Sequence, residues 1–229
     1  MFIFDKVGFS KTITAKDLEP KVEDFTPSHK EASNNKNSGF TVVGKKDCTN
    51  KFHKLSKIIL KHEGGFVSDP SDRGGPTNKG IAWNTWKRYA KKDLGVEPTL
   101  NNLKNLSDKD AETIYRKRYW EPKGFCELKN DCVGLMVYDW TITSGGATRQ
   151  IQKLLNNEFG QNLVVDGGMG KRTISAMNSI KNQKKLLQRI ADIRKKYYTN
   201  LAFKNGQKTD SHKFLKGWKN RVDDCLKGC

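Results

Sequence analysis

H-E-G-G-F-V-S-D-P-S-D-R-G-G-P-T-N-K-G-I, residues 62–81, closes a helical pattern with a carboxylate and two glycines, then crowds turn-forming residues into one loop. Just upstream, Phe52, Leu55, Ile58, Ile59 and His62 recur at the helical period. They predict a helix from Phe52 that stops at Gly64-Gly65. A loop or short hairpin follows, from Phe66 to Ala82. Glu63 therefore stands at a helix C-terminus, beside apolar Phe66, a setting that suits a carboxyl group kept protonated. Such a group is what a general acid for glycoside cleavage requires. Gly64 and Gly65 leave room for a substrate to approach. Asp72, nine residues on, is placed to act as a second carboxylate, and the Thr77 hydroxyl to hold a water. Residue types alone also allow a plain alternative, in which Glu63 is a solvated helix end and Asp69 and Asp72 form turns.

The remainder of the chain reads as helices. Asn84 is the expected cap for the helix T-W-K-R-Y-A-K-K, and Ser107 with Asp110 forms a capping box for a helix reaching Tyr119. V-G-L-M-V-Y-D-W-T-I reads as a buried helix, with a strand as the alternative. A helix follows Gly145-Gly146, and V-D-G-G-M-G-K-R-T-I-S-A-M-N is a tight turn feeding another. Leu186, Ile190, Ile193 and Tyr197 mark a long helix, and Phe214, Trp218, Val222 and Cys225 the last one. Residues 1–50 differ: they are polar, mixed in charge and without periodicity, and read as an extended arm or linker. The division is then an arm over 1–50, a lobe over 51–144 and a second helical lobe over 145–229.

Among 229 residues, 43 Lys and Arg face 25 Asp and Glu, a net charge of +18. The first fifty hold eight Lys against seven acids, so about +17 resides on the rest. A surplus that large implies a polyanionic partner: nucleic acid, an anionic membrane surface or a cell-wall polymer. No nucleic-acid motif accompanies it, so no specific nucleic acid is assigned. No apolar run approaches the ~20 residues of a membrane helix, so no membrane insertion is expected. Asp5 interrupts the apolar start, and no secretory signal is read. Five cysteines form no zinc spacing, and a Cys126–Cys132 bridge is one possible pairing. H-E-G-G-F lacks the second His of a zinc protease, D-G-G-M-G lacks the G-K-[ST] of a phosphate loop, and no nucleophile elbow is present. No metal and no cofactor are assigned.

The motif E-G-G-F-x3-P-x-D-x-G-G-x-T-x2-G-I resembles the opening of the glycoside hydrolase family 108 N-acetylmuramidases, the lysozymes of bacteria and phages. Y-R-K-R-Y-W at 115–120 is similar to a helix that precedes that family's second lobe. V-D-G-G-M-G-K-R-T-I-S-A-M-N at 165–178 resembles its peptidoglycan-binding segment, and F-L-K-G-W-K-N-R-V at 214–222 its closing motif. The order Glu63, Asp72, Thr77 also resembles the Glu–Asp–Thr arrangement of phage-type lysozymes, with one residue fewer between Asp and Thr.

The resemblance implies a mostly α, lysozyme-like fold with a small β-hairpin at the active site. It implies cleavage between N-acetylmuramic acid and N-acetylglucosamine, with Glu63 as the acid and peptidoglycan as the polyanionic partner. Gly64, Gly65, Phe66, Tyr119 and Trp120 are the expected substrate contacts. Trp83, Trp86 and Trp140 are further stacking candidates, although core burial is the commoner fate of such residues. The site of action would be the bacterial wall, in the periplasm. An enzyme without a signal would arrive there by lysis, a secretion machine or carriage in a phage particle, with residues 1–50 as the docking arm. A non-catalytic wall-binding or virion structural protein is the competing class.

Overall fold

A computed structural model describes residues 45–68 and 75–229, without the side chains of residues 45–47 and His62. Asp69, Asp72 and almost all of the N-terminal arm lie outside the described residues.

Helix α1 runs Lys45–His62, so residues 45–50, read from the sequence as the end of the arm, are its first turns. Phe52, Leu55 and Ile59 are buried along one face, as the periodicity requires. Its end is a plain stop: neither Gly64 nor Gly65 has a positive φ. A hairpin follows, β1 (Thr77–Asn78) against β2 (Ile81–Ala82), with Thr77 opposite Ala82. Its two-residue turn needs left-handed backbone at both positions, and Lys79 and Gly80 have φ of 47° and 72°. Val67 extends the ladder, exchanging two 2.8 Å backbone hydrogen bonds with Thr77. The chain therefore doubles back over the end of α1.

Helix α2 (Trp83–Leu94) begins directly after β2 with Ala82 at its N-cap. Asn84 is inside the helix rather than its cap, because Trp83 donates its backbone N–H to Pro76 and the hairpin itself launches the first turn. Helix α3 (Leu100–Lys104) is capped by Thr99, and α4 (Asp108–Tyr115) by Ser107, whose hydroxyl accepts from the Asp110 N–H at 3.1 Å. The expected helix through Tyr119 changes character at Arg116, where one wide π turn, Arg116–Trp120, takes over.

Helix α5 (Asp131–Thr143) is buried on nearly every side. It packs against α1, against α6 (Ala147–Phe159), and against α8 (Gln183–Ala202) and α9 (Leu215–Lys227). That surrounding explains its continuous apolar sequence, which periodicity alone does not assign to helix or strand. Helix α7 (Lys171–Ser179) follows the V-D-G-G-M-G turn, where the Asp166 carboxylate accepts from the Gly168 N–H and the Gln152 amide. A second hairpin, β3 (Phe203–Lys204) with β4 (Gln207–Lys208), joins α8 to α9.

The core holds Phe52, Trp120, Phe125 and Tyr138, with ring centroids 5.0–5.7 Å apart. Beside it Cys48 and Cys126 form a disulfide with Cα atoms 5.1 Å apart. Cys126 is thus bonded to α1 rather than to Cys132, its nearer neighbour in sequence. That bridge tethers the start of α1 to the turn before α5.

Candidate active site

Glu63 is the first residue beyond α1, its backbone N–H bonded to the Leu60 carbonyl at 3.0 Å. Its side chain is only 9% exposed. The hairpin turn lies against it. A β-carbon built on Gly80 would stand 2.9 Å from Glu63 Cδ and overlap both the Oε2 atom and the Tyr115 hydroxyl. Gly80 is therefore demanded twice, by its left-handed φ and by the space the carboxylate occupies. Two bonds fix the turn there. Lys79 donates its N–H to the Gly64 carbonyl at 3.0 Å, and its own carbonyl accepts from the Tyr115 hydroxyl at 3.1 Å. Burial, followed by the Glu63 charge, pushes the Tyr115 phenol well above its usual range, so it stays protonated and able to donate.

The other carboxylate oxygen meets a cation. Arg221, on α9, donates from Nη2 to Glu63 Oε1 at 2.9 Å. The same guanidinium grips Asp139 on α5: its Nε lies 3.0 Å from both Asp139 oxygens and its Nη2 2.7 Å from Oδ1. Arg194 on α8 closes the cluster from the far side, donating to Asp139 Oδ2 at 2.6 Å. Burial alone would push the Asp139 pKa up, but the two guanidiniums outweigh it and hold the group well below the usual carboxylate range. Glu63 is thus set in ionic surroundings, where the sequence suggested apolar ones. Asp139 is fully buried and committed to two arginines, so it cannot touch a substrate.

The remaining expected residues divide by exposure. Gly64 and Gly65 are exposed, and among the described residues a β-carbon at either would meet nothing within 4 Å, so the described surface beside Glu63 is open. Phe66 is half-buried, with the Lys104 ammonium 5.2 Å from its ring centroid. Thr77 is buried on β1, and its hydroxyl donates to the Gly75 carbonyl at 3.3 Å. Tyr119 is half-buried, and its ring centroid lies 6.0 Å from that of Tyr115. Trp120 is a correction. It is wholly buried in the aromatic cluster, and its indole N–H points to the Cys126 sulfur at 3.1 Å, so no sugar can stack on it. Trp86 and Trp140 are core residues as well. Trp83, half-buried against Gly75 at the base of the hairpin, is the tryptophan among these candidates that is not buried. Asp72 lies outside the described residues.

Comparison with known families fits this site. Residues 56–145, which include Glu63 and the hairpin, match the model of glycosyl hydrolase 108. The chain carries a glycosyl hydrolase 108 domain. Residues 146–223 match a second model, described as a predicted peptidoglycan domain. Among solved structures, the chain is similar to that of Brucella abortus SagA, at 26% identity and a TM-score of 0.58. The match covers 78% of this chain and 94% of that one. No curated protein matches. The protein is a glycoside hydrolase that acts on peptidoglycan, and its place of action is the cell wall.

The boundary between the two matched segments falls between α5 and α6, yet the ion cluster crosses it. Glu63 and Asp139 come from the first segment, Arg194 and Arg221 from the second. Sequence reasoning passed over Tyr115, Arg194 and Arg221 in this role. The signal for Arg221 was present in the closing motif K-G-W-K-N-R-V, but nothing in a linear pattern says that its arginine reaches back 158 positions.

Proposed function

We propose that the enzyme is an N-acetylmuramidase that hydrolyses the β-1,4 bond between N-acetylmuramic acid and N-acetylglucosamine, with Glu63 as its general acid. The observation that carries this reading is the placement of Glu63. Its carboxylate is almost enclosed, is fixed between Arg221 and the Gly80 turn, and lies beside the open surface at Gly64-Gly65. In the proposed reaction protonated Glu63 gives its proton to the glycosidic oxygen as the bond to the anomeric carbon breaks. A water then adds to that carbon and loses its proton to a second carboxylate, for which Asp72 is proposed. Thr77 is proposed to help hold the water. Gly64, Gly65, Phe66 and Tyr119 are proposed as substrate contacts, with Trp83 in the stacking role that Trp120 cannot fill.

The test is a folded Glu63→Gln protein incubated with purified peptidoglycan. Mass spectrometry of the fragments is expected to show muramic acid at the new reducing ends for the wild type, and a loss of at least ~10² in rate for the variant. Wild-type turnover by that variant, or cleavage at another bond, would overturn the reading.

A phage or secretion route is proposed for delivery, with the residues ahead of α1, 1–44, docking the enzyme to a tail or similar assembly. Their nearly balanced charge, set against the basic remainder, supports separate duties for the two parts.

A further inference from the structure

We propose that Arg221 is a positioning residue for the catalytic acid, and that the segment resembling a peptidoglycan-binding domain is therefore part of the catalytic centre. The inference rests on the reading of Glu63 as general acid.

A module that only binds the wall would keep its essential residues on its outer surface. Arg221 is instead 5% exposed and turned inward. Its guanidinium presents a planar fork, and the structure uses that shape. The Nε side and one Nη2 hydrogen are committed to Asp139, and the same Nη2 also reaches Glu63 Oε1. Arg194 prevents Asp139 from being a loose anchor. It bonds the Asp139 Oδ2 atom, and its own Nε is held by the Tyr198 hydroxyl at 3.1 Å. The cluster thus ties α5, α8 and α9 together behind one oxygen of Glu63, while the hairpin turn bounds the other.

Two consequences follow for the reaction. The carboxyl group is limited to a narrow range of orientations, which matters because small misplacements of a reacting group carry large rate costs. When Glu63 gives up its proton, negative charge develops on a carboxylate whose counter-ion is already in place and needs no solvent reorganisation. Arg221 acts through Glu63 in both respects and need not touch the sugar.

The experiment uses the full chain and two substrates, soluble glycan fragments and insoluble wall. Arg221→Met is expected to lower kcat on the soluble fragments by about 10² while KM stays within about threefold, since ground-state binding is made elsewhere. Arg221→Lys, which keeps the charge but not the fork, is expected to recover part of kcat. Sedimentation with insoluble wall should be unchanged for both. Should Arg221→Met fail to fold, Asp139→Asn, which removes the anchor and keeps the arginine, is expected to show the same split between kcat and KM. Unaltered kcat in a folded Arg221→Met protein, or a defect confined to KM and wall binding, would overturn the inference. Inactive Glu63→Gln beside fully active Arg221→Met would sink this inference alone, whereas active Glu63→Gln would remove the reading of the acid beneath it.

Discussion

The α-carbon of Gly80 faces the Glu63 carboxylate so closely that a single added methyl group would overlap it. The atoms in the way belong to the Glu63 carboxylate and to the hydroxyl of Tyr115, whose ring is buried. Gly80→Ala should therefore cost about 1–2 kcal/mol for its left-handed backbone, plus the cost of displacing those two side chains. Activity should fall by about 10², because the displaced atoms belong to the proposed acid and its support. Gly95→Ala supplies the control. It has the same handedness, φ 74°, but open space around it, so it should lose only the backbone share of stability and keep its turnover. Equal activities for the two variants would mean that the Gly80 contact has no catalytic consequence.

Asp139 gives a pH-dependent prediction. Its pKa in the folded chain is depressed by Arg221 and Arg194, so its stabilising contribution is full above the unfolded value of about 4 and is lost as pH falls below that. At neutral pH, Asp139→Asn leaves two buried guanidiniums undercompensated and should cost about 3–5 kcal/mol. Denaturant unfolding from pH 7 down to pH 2 should show the gap between wild type and variant narrowing below pH 4. A gap that stays constant across that window would contradict the assigned ion cluster.

The sulfur chemistry can be tested by labelling. Cys225 is fully buried, and burial pushes its thiol up to about 12, so it should resist alkylation in the native protein at pH 8 and react after unfolding. Reduction of the Cys48–Cys126 bond reopens a span of 78 positions. In the chain-entropy account this should lower stability by about 4 kcal/mol. Rapid native labelling of Cys225, or an unchanged unfolding midpoint under reductant, would contradict these assignments.

How far the sequence carried differs from part to part. Helices with one polar face were legible, because Phe52, Leu55 and Ile59 announce a buried stripe at a fixed period. Helix α5 was harder, since full burial erases the contrast on which periodicity depends. The hairpin β3–β4 went unread although Asn205-Gly206, with φ of 51° and 77°, is a strong two-residue turn signal. Its strands are too short to show alternation. Glu63 stood out because Gly64-Gly65 follow it directly. Arg221 and Asp139 did not, because their meaning lies in a contact between distant helices. Trp120 was misread for the opposite reason: an aromatic residue in a family motif marks a core as readily as a sugar platform, and only burial tells them apart.

Charge supplies the last prediction. About +17 of the net +18 lies beyond residue 50, whereas the cluster of Glu63, Asp139, Arg194 and Arg221 is enclosed and adds little to the outer field. The attraction to an anionic wall must therefore come from surface lysines and arginines, whose reach is limited to about 10 Å at 0.1 M salt and to about 3 Å at 1 M. Inactive Glu63→Gln protein permits the measurement, since it leaves the wall intact. Its sedimentation with purified wall should weaken steadily as salt is raised, while turnover of short glycan fragments, which carry few charges, by the wild-type enzyme changes less. Binding that is indifferent to salt over that range would assign the attraction to specific sugar contacts and leave the basic surface without this role.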